Sequence, residues 1–427
     1  MVLEMVMESL FAVVDMLFVA RLGQDAVAAV GLTESMVTIL FAIALGLSMA
    51  TTATVARRIG EKDPEAAAVA AVQALIAGVA VSVAVGIVGF IYAEDLLRLM
   101  GASPQVIEQG RGFTTITLGL SAPLILIFLL NAVFRGAGDA AIAMRVLWLA
   151  NLLNIVLDPC FIWGLGPFPE LGLTGAAVAT AIGRGLAVAY QVWMLFGGRS
   201  RVPVTRRSLR LDPAVLSSLI RISLPGMAQY AIATASWVGL VRIIAVFGSP
   251  ALAGYTIAIR IVVFAILPSW GLSNAAATLV GQCLGANKPD RAEDSVWRTG
   301  ISNAVFLGSL GLIFIFGAGP VVRIFTSDPE VVAIATTCLR YVAYGYPFYA
   351  IGMVVVQAFN GAGDTLTPTI INLFCYWVFE IPLAWVLAQP VGMGPTGVFL
   401  SITLAESAMA VVAILQFRRG RWKSRKV

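Results

Sequence analysis

Residues 134–139 read FRGAGD, and residues 359–364 read FNGAGD. The copies stand 225 residues apart, and the same offset pairs Gly23 with Gly248, Gly46 with Gly271, Gly60 with Gly285, Pro64 with Pro289, Arg98 with Arg323 and Pro104 with Pro329. After an adjustment of three residues, LTGAA at 173–177 meets PTGVF at 395–399. Self-similarity over this length marks a chain built from two copies of one unit.

What each copy contains follows from composition. Of 427 residues, 59% are hydrophobic and only 12% charged, with a mean hydropathy of +0.92. Soluble domains carry about 25% charged residues, so this is an integral membrane protein. Apolar stretches of about 20 residues recur throughout, each long enough as a helix to cross a hydrocarbon layer of roughly 30 Å. They predict twelve transmembrane helices at 1–20, 35–56, 68–93, 113–134, 141–164, 173–197, 219–247, 256–281, 296–320, 338–360, 366–389 and 396–416. The segments are too long and too continuously apolar for barrel strands of about ten residues. The expected fold is therefore all-α, with two six-helix bundles.

Six is an even number, so both bundles enter the membrane from the same side and are expected to be related by a pseudo-twofold axis along the membrane normal. The predicted organisation is an N-terminal bundle at 1–197, a basic linker at 198–218, a C-terminal bundle at 219–416 and a basic tail at 417–427. Two bundles with a cleft between them can open alternately to either side, which makes transport the leading functional class. On the repeat, Pro225 maps just ahead of Met1, so the first helix is expected to lack the opening turns of the seventh.

Basic residues are unevenly shared among the loops. Arg199, Arg201, Arg206, Arg207, Arg210 and Arg221 surround the linker, and Arg418, Arg419, Arg421, Lys423, Arg425 and Lys426 fill the tail. The opposite loops hold chiefly Arg21, Arg98, Arg111 and Arg323. By the positive-inside rule both termini are expected in the cytoplasm and the protein in the plasma membrane. This account absorbs the net charge of +5 and leaves no reason to expect a nucleic-acid partner. Cys160, Cys283, Cys338 and Cys375 lack CxxC spacing, so a disulfide framework or cysteine metal site is not expected. The chain has no histidine, which removes imidazole as ligand or proton relay, and no GxxxxGK[ST] loop for a nucleotide.

Against that apolar background, residues 151–161 read NLLNIVLDPCF. At the helical period Asn151, Asn154 and Asp158 fall within about 60° of arc, one stripe on the fifth helix. Glu4, Glu8 and Asp15 fall within about 40° on the first. Facing lipid, either stripe costs several kcal/mol; facing each other across a polar pocket, both are satisfied. Pro159 removes a donor and leaves the carbonyl of Ile155 without its usual partner, so a helix kink is expected where hard oxygens can collect around Na⁺ or meet a protonated acid. In the second half Asp158 maps to Leu383, but Glu380 lies three residues earlier, beside Pro382 and on a face shared with Asn372 and Tyr376. Glu380 is expected to be a second ion or substrate contact, or a salt-bridge partner. Glu34 and Glu406 are weaker candidates. Gln229, Tyr230, Trp237, Trp270 and Asn274 offer amide and aromatic contacts to a substrate, and the GAGD aspartates are expected to cap helices.

Together these stretches resemble the multidrug and toxic compound extrusion transporters, the MATE family, over essentially the whole chain. The resemblance rests on VVDMLFVARLG at 13–23, FRGAGD at 134–139, NIVLDP at 154–159, GLTGAAVAT at 172–180, FNGAGD at 359–364 and FEIPLAW at 379–385. It looks closest to the DinF-like and archaeal branch. The resemblance implies a functional monomer, not an enzyme, that exports organic and often cationic compounds in exchange for H⁺ or Na⁺, with no other cofactor. The coupling roles it implies fall on Asp15, Asn154, Asp158 and, from the sixth helix, Thr180. Glu380 stands where the family commonly has a basic residue before IPLA. The rival readings are a flippase for a lipid-linked precursor and an exporter of an endogenous metabolite on the same architecture. A pyrophosphate-binding flippase calls for an arginine-rich cleft, and only Arg184, Arg242 and Arg260 are scattered along the relevant helices.

Overall fold

The computed structural model describes residues 18–19, 21–425 and 427. Among these, eleven segments are long and apolar enough to cross a bilayer. The first predicted span lies outside the described residues except for Phe18 and Val19. The helices are α1 (Gln24–Gly60), α2 (Pro64–Leu99), α3 (Pro104–Gly119), α4 (Ala122–Ala137), α5 (Ala140–Trp163) and α6 (Leu173–Phe196). They continue with α7 (Pro213–Ala245), α8 (Ser249–Gly285), α9 (Pro289–Arg323), α10 (Pro329–Gly361), α11 (Leu366–Ala388) and α12 (Pro395–Arg418). The multi-spanning, all-helical class expected from composition is the observed one. Large apolar side chains such as Phe90, Phe316 and Phe374 stand exposed, as lipid-facing residues do.

Local chemistry sets the helix starts. Asp63, Ser103 and Asp328 each accept a backbone N–H from the first turn that follows, and a proline occupies the first turn of α2, α3 and α10. The predicted fourth helix is two: α3 stops at Gly119 and α4 begins at Ala122. Pro123 supplies no N–H to Gly119, the residue four before it, and the break falls there. In α11 the stretch Leu373–Glu380 is π-helical, a widened turn just ahead of Pro382.

The described chain divides into two compact units, one ending at Met227 and the other running from Ala228 to Val427, so the division falls within α7. In the first unit α1 packs against α4 and α2, and α5 pairs with α6. In the second, α10 packs against α8, α9 and α12 and is largely buried. Backbone peculiarities recur in register with the sequence repeat. Lys62 and Asn287 adopt left-handed φ angles of 62° and 55°, both in the turn before a proline-started helix. Gly138 and Gly363 of the two GAGD turns have φ angles of 88° and 83°.

Each unit also closes its GAGD turn with the segment trailing its last helix. In the first, Asp139 accepts hydrogen bonds from the Arg201 backbone N–H (2.9 Å) and the Ser200 hydroxyl (3.4 Å) and pairs with the Arg201 guanidinium at 3.4 Å. The expected capping role of Asp139 is thus directed away from its own helix, because the linker folds back to supply the donors. In the second, Asp364 accepts from the Thr367 hydroxyl at 2.8 Å and pairs with Arg425 at 3.2 Å. Trp422 is fully buried and stacks on Phe417, with ring centroids 4.6 Å apart. The linker is held further by Gln73, which donates to the Arg210 carbonyl and accepts from the Asp212 N–H.

Candidate functional site

The α5 helix has two chemically opposed faces. Leu152 and Val156 are 63% and 55% exposed, whereas Asn151, Asn154 and Asp158 are buried, the last with no exposure at all. The 3.6-residue period places the amides and the acid on the interior side. The helix runs unbroken through Pro159 from Ala140 to Trp163, so the expected kink is not an interruption of helical backbone.

Opposite this stripe runs α6, rich in small residues. A Cβ on Gly175 would lie 2.5 Å from the carbonyl carbon of Phe161, and one on Gly183 would lie 3.1 Å from the Ala150 oxygen. These glycines let the two backbones approach closely, and Thr180 lies between them. The side-chain amide of Asn154 donates to Asp158 Oδ1 at 3.0 Å and to Thr180 Oγ1 at 3.0 Å. The other amide atom, Asn154 Oδ1, is buried without a hydrogen-bond partner among the described residues.

The structure therefore brings Asn154, Asp158 and Thr180 into contact and keeps Asn151 on the same buried face. Asp15, together with Glu4 and Glu8, lies outside the described residues. Gln229, Tyr230 and Glu380 belong to the second unit. Gln229 is buried on α7, and its Oε1 has no hydrogen-bond partner among the described residues. Glu380 is buried and joins no described residue by an ion pair, so the expected salt bridge is not formed there. Glu406 accepts from the Tyr376 hydroxyl at 3.3 Å, a partnership across thirty residues that spacing alone does not reveal. Glu34 stands exposed on α1. Among the described residues no three His, Cys, Asp or Glu side chains converge as a metal site.

A buried acid stabilised by an amide, inside an assembly of long apolar helices and a repeated motif, narrows the possible families sharply. The MatE family model matches residues 1–160 and 226–386, two stretches that begin in register with the repeat. The chain belongs to the MatE family. This MATE protein is similar to the probable multidrug resistance protein NorM of Thermotoga maritima, with 26% identity covering 99% of this chain and 91% of that protein. It is also similar to the probable multidrug resistance protein YoeA of Bacillus subtilis, with 26% identity covering 100% of this chain and 93% of that one. Among solved structures it is similar to an outward-facing multidrug resistance MATE family transporter of the MOP superfamily. The TM-score is 0.92 and the identity 26%, over 100% of this chain and 95% of that chain. The protein is thus a multi-pass secondary transporter of the multidrug-efflux type rather than an enzyme.

Proposed function

We propose that this MATE transporter is an antiporter that exports organic, chiefly cationic, compounds in exchange for H⁺ or Na⁺, as in the DinF-like branch. The coupling ion resides at Asp158, with Asn154 and Thr180 as its described neighbours and Asp15 as a further acid. The observation that carries this reading is the fully buried Asp158 carboxyl, linked through one amide to the Thr180 hydroxyl on the facing helix. A carboxylate inside a bilayer is costly unless a cation, a proton or hydrogen-bond donors offset its charge. Asn154 Nδ2 supplies one donor, while Asn154 Oδ1 offers a hard oxygen to an arriving cation.

In the cycle, the ion neutralises Asp158 from outside and the substrate leaves. The ion-loaded protein turns inward, the ion departs, and the restored negative charge favours loading a cationic compound. The transporter works as a monomer in the plasma membrane with both termini in the cytoplasm. One net charge moved through 100 mV supplies about 2.3 kcal/mol, which sustains a substrate gradient of roughly 50-fold.

The test is reconstitution in liposomes with a lipophilic cationic dye, under separately imposed H⁺ and Na⁺ gradients, for the wild type and Asp158→Asn. Export driven by one gradient and lost in the variant is expected. Equal export by both proteins would remove Asp158 from the coupling site.

A further inference from the structure

In the first unit an open groove runs along α2 and changes character on the way. Its apolar half, of about 380 Å³, lies where α3 gives way to α4 and is lined by Val83, Gly86, Ile87 and Gly119. Its charged half, of about 530 Å³, ends in Glu94, Asp95 and Arg98 of α2 and Arg111 of α3. Phe90 and Ile91 line both halves, which makes them one continuous depression. Each half falls within the roughly 300–1,000 Å³ of a small-ligand site.

The residue types account for this shape. A Cβ on Gly86 would stand 2.8 Å from the Gly119 oxygen, so α2 and α3 meet there backbone to backbone. At the apolar end the Ser82 hydroxyl donates to the Gly78 carbonyl and the Ser121 hydroxyl to the Ser82 carbonyl, so both serines spend their donors inside the protein. At the join of the two halves α2 bends at Tyr92, whose φ of −113° and ψ of 16° are not helical. Beyond the bend Glu94 pairs with both Arg98 and Arg111, the latter at 3.2 Å, and Asp95 stands 3.8 Å from Arg98. Two carboxylates and two guanidiniums balance in charge, and the side chains of Asp95, Arg98 and Arg111 are all more than half exposed.

Exposed apolar side chains are ordinary on a lipid-facing helix; a concave apolar run that ends in four balanced charges is not. At about 1.5 Å per residue the run from Ser82 to Glu94 measures about 18 Å, close to one leaflet of a hydrocarbon core of roughly 30 Å. Gln73, toward the other end of α2, holds the basic linker, so the charged mouth opens at the membrane surface opposite the linker. We propose that this groove binds one phospholipid of that leaflet, with an acyl chain along Val83, Ile87 and Phe90 and a zwitterionic phosphoethanolamine headgroup at the mouth. Arg98 and Arg111 face the phosphate, which suits the planar fork of N–H donors on a guanidinium, and the Asp95 carboxylate accepts from the ammonium. An anionic headgroup would leave the two acids unmatched, and a headgroup without acyl chains would leave the apolar half unfilled. The site takes no residue from the Asp158 stripe and does not depend on which ion drives transport.

The experiment is native mass spectrometry of the purified full-length protein, released from detergent after incubation with dioleoyl phosphatidylethanolamine or dioleoyl phosphatidylglycerol. The wild type is expected to retain one phosphatidylethanolamine per chain, with an affinity about tenfold above that for phosphatidylglycerol. The double variant Arg98→Gln, Arg111→Gln removes the phosphate's partners and is expected to weaken retention about tenfold. Ile87→Trp fills the apolar half, leaves all four charges in place and is expected to weaken it to a similar degree. All three positions are exposed, so the substitutions spare the core. Glycerophosphoethanolamine, the same headgroup without acyl chains, is expected not to compete. Equal retention of the two lipids, retention by either variant at the wild-type level, or displacement by glycerophosphoethanolamine at the concentration of the lipid would overturn the proposal.

Discussion

Gly175→Ala tests how the α5–α6 approach builds the Asn154–Thr180 contact. The added Cβ would stand 2.5 Å from the Phe161 carbonyl carbon and nearer still to its oxygen, where ordinary contacts are 3.4–4 Å. Relief requires the helices to part by about 1 Å, with a typical overpacking cost of about 1–3 kcal/mol. The Asn154–Thr180 hydrogen bond, now 3.0 Å, would lengthen beyond useful range, losing about 1 kcal/mol more. Alanine returns about 1 kcal/mol through its helix propensity. The net loss is about 1–3 kcal/mol, a fall in melting temperature on the order of 2–12 °C for a unit of this size. Gly183→Ala serves as the internal control. Its Cβ meets the Ala150 oxygen at 3.1 Å, a few tenths of an ångström too near, and the same propensity gain offsets that strain to within about 1 kcal/mol. Thermal unfolding of the purified proteins and initial rates of dye export from liposomes give the comparison. Gly175→Ala should melt lower and export more slowly than Gly183→Ala. Equal behaviour, or the reverse order, would refute the idea that Gly175 sets the helix separation on which the Thr180 contact depends.

Asn154→Leu removes the described donor to Asp158, a charge-assisted bond worth about 1.5–3 kcal/mol. Gradient-driven export should fall by about tenfold or more, whereas Thr180→Val, which keeps the Asn154–Asp158 bond, should lower it by only a few-fold; initial rates decide. In the closure of the second GAGD turn, Asp364→Ala loses the Thr367 contact and the Arg425 pair together. It should destabilise by about 1–2 kcal/mol in thermal unfolding, against less than about 1 kcal/mol for Arg425→Ala, whose side chain is half exposed. The Lys423 ammonium is held above its ordinary range first by its hydrogen bond to Glu293, with burial opposing and Asp290 adding support. A raised value means stability present below the unfolded lysine range, near pH 10.4, and lost as pH rises through the folded value. The melting temperature should therefore decline more steeply in that alkaline window for the wild type than for Lys423→Met. The effect should be small, because the pair is partly exposed and screened by salt.

The parts of the molecule legible in the sequence are those governed by one periodicity. Apolar run length gave the spans, though α1 begins at Gln24 rather than 35, because helices continue past the hydrocarbon into polar turns that a hydropathy reading discards. The burial of Asn151, Asn154 and Asp158 follows from their spacing alone, since a helix fixes which side chains share a face. Thr180 came from family resemblance; its contact with Asn154 depends on two glycines permitting a close approach, and no one-dimensional pattern encodes that distance. Glu380, Glu406, Tyr255 and Tyr346 line one cavity of the second unit, a grouping hidden in the sequence because four separate helices contribute it. Arg201 and Arg425 were counted among loop charges, and their pairing with Asp139 and Asp364 emerges only when the trailing segments fold back.

That folding back makes each half close on itself. In each half an arginine beyond the last helix grips the aspartate of the GAGD turn, and an aromatic or aliphatic side chain beside it, Trp422 in one case and Val202 in the other, is fully buried. The segment after α6 and the segment after α12 thus hold turns that stand 225 residues apart in the same way. A chain divided after Asp212 would leave both fragments with this closure intact, whereas division after Gly198 would take it from the first.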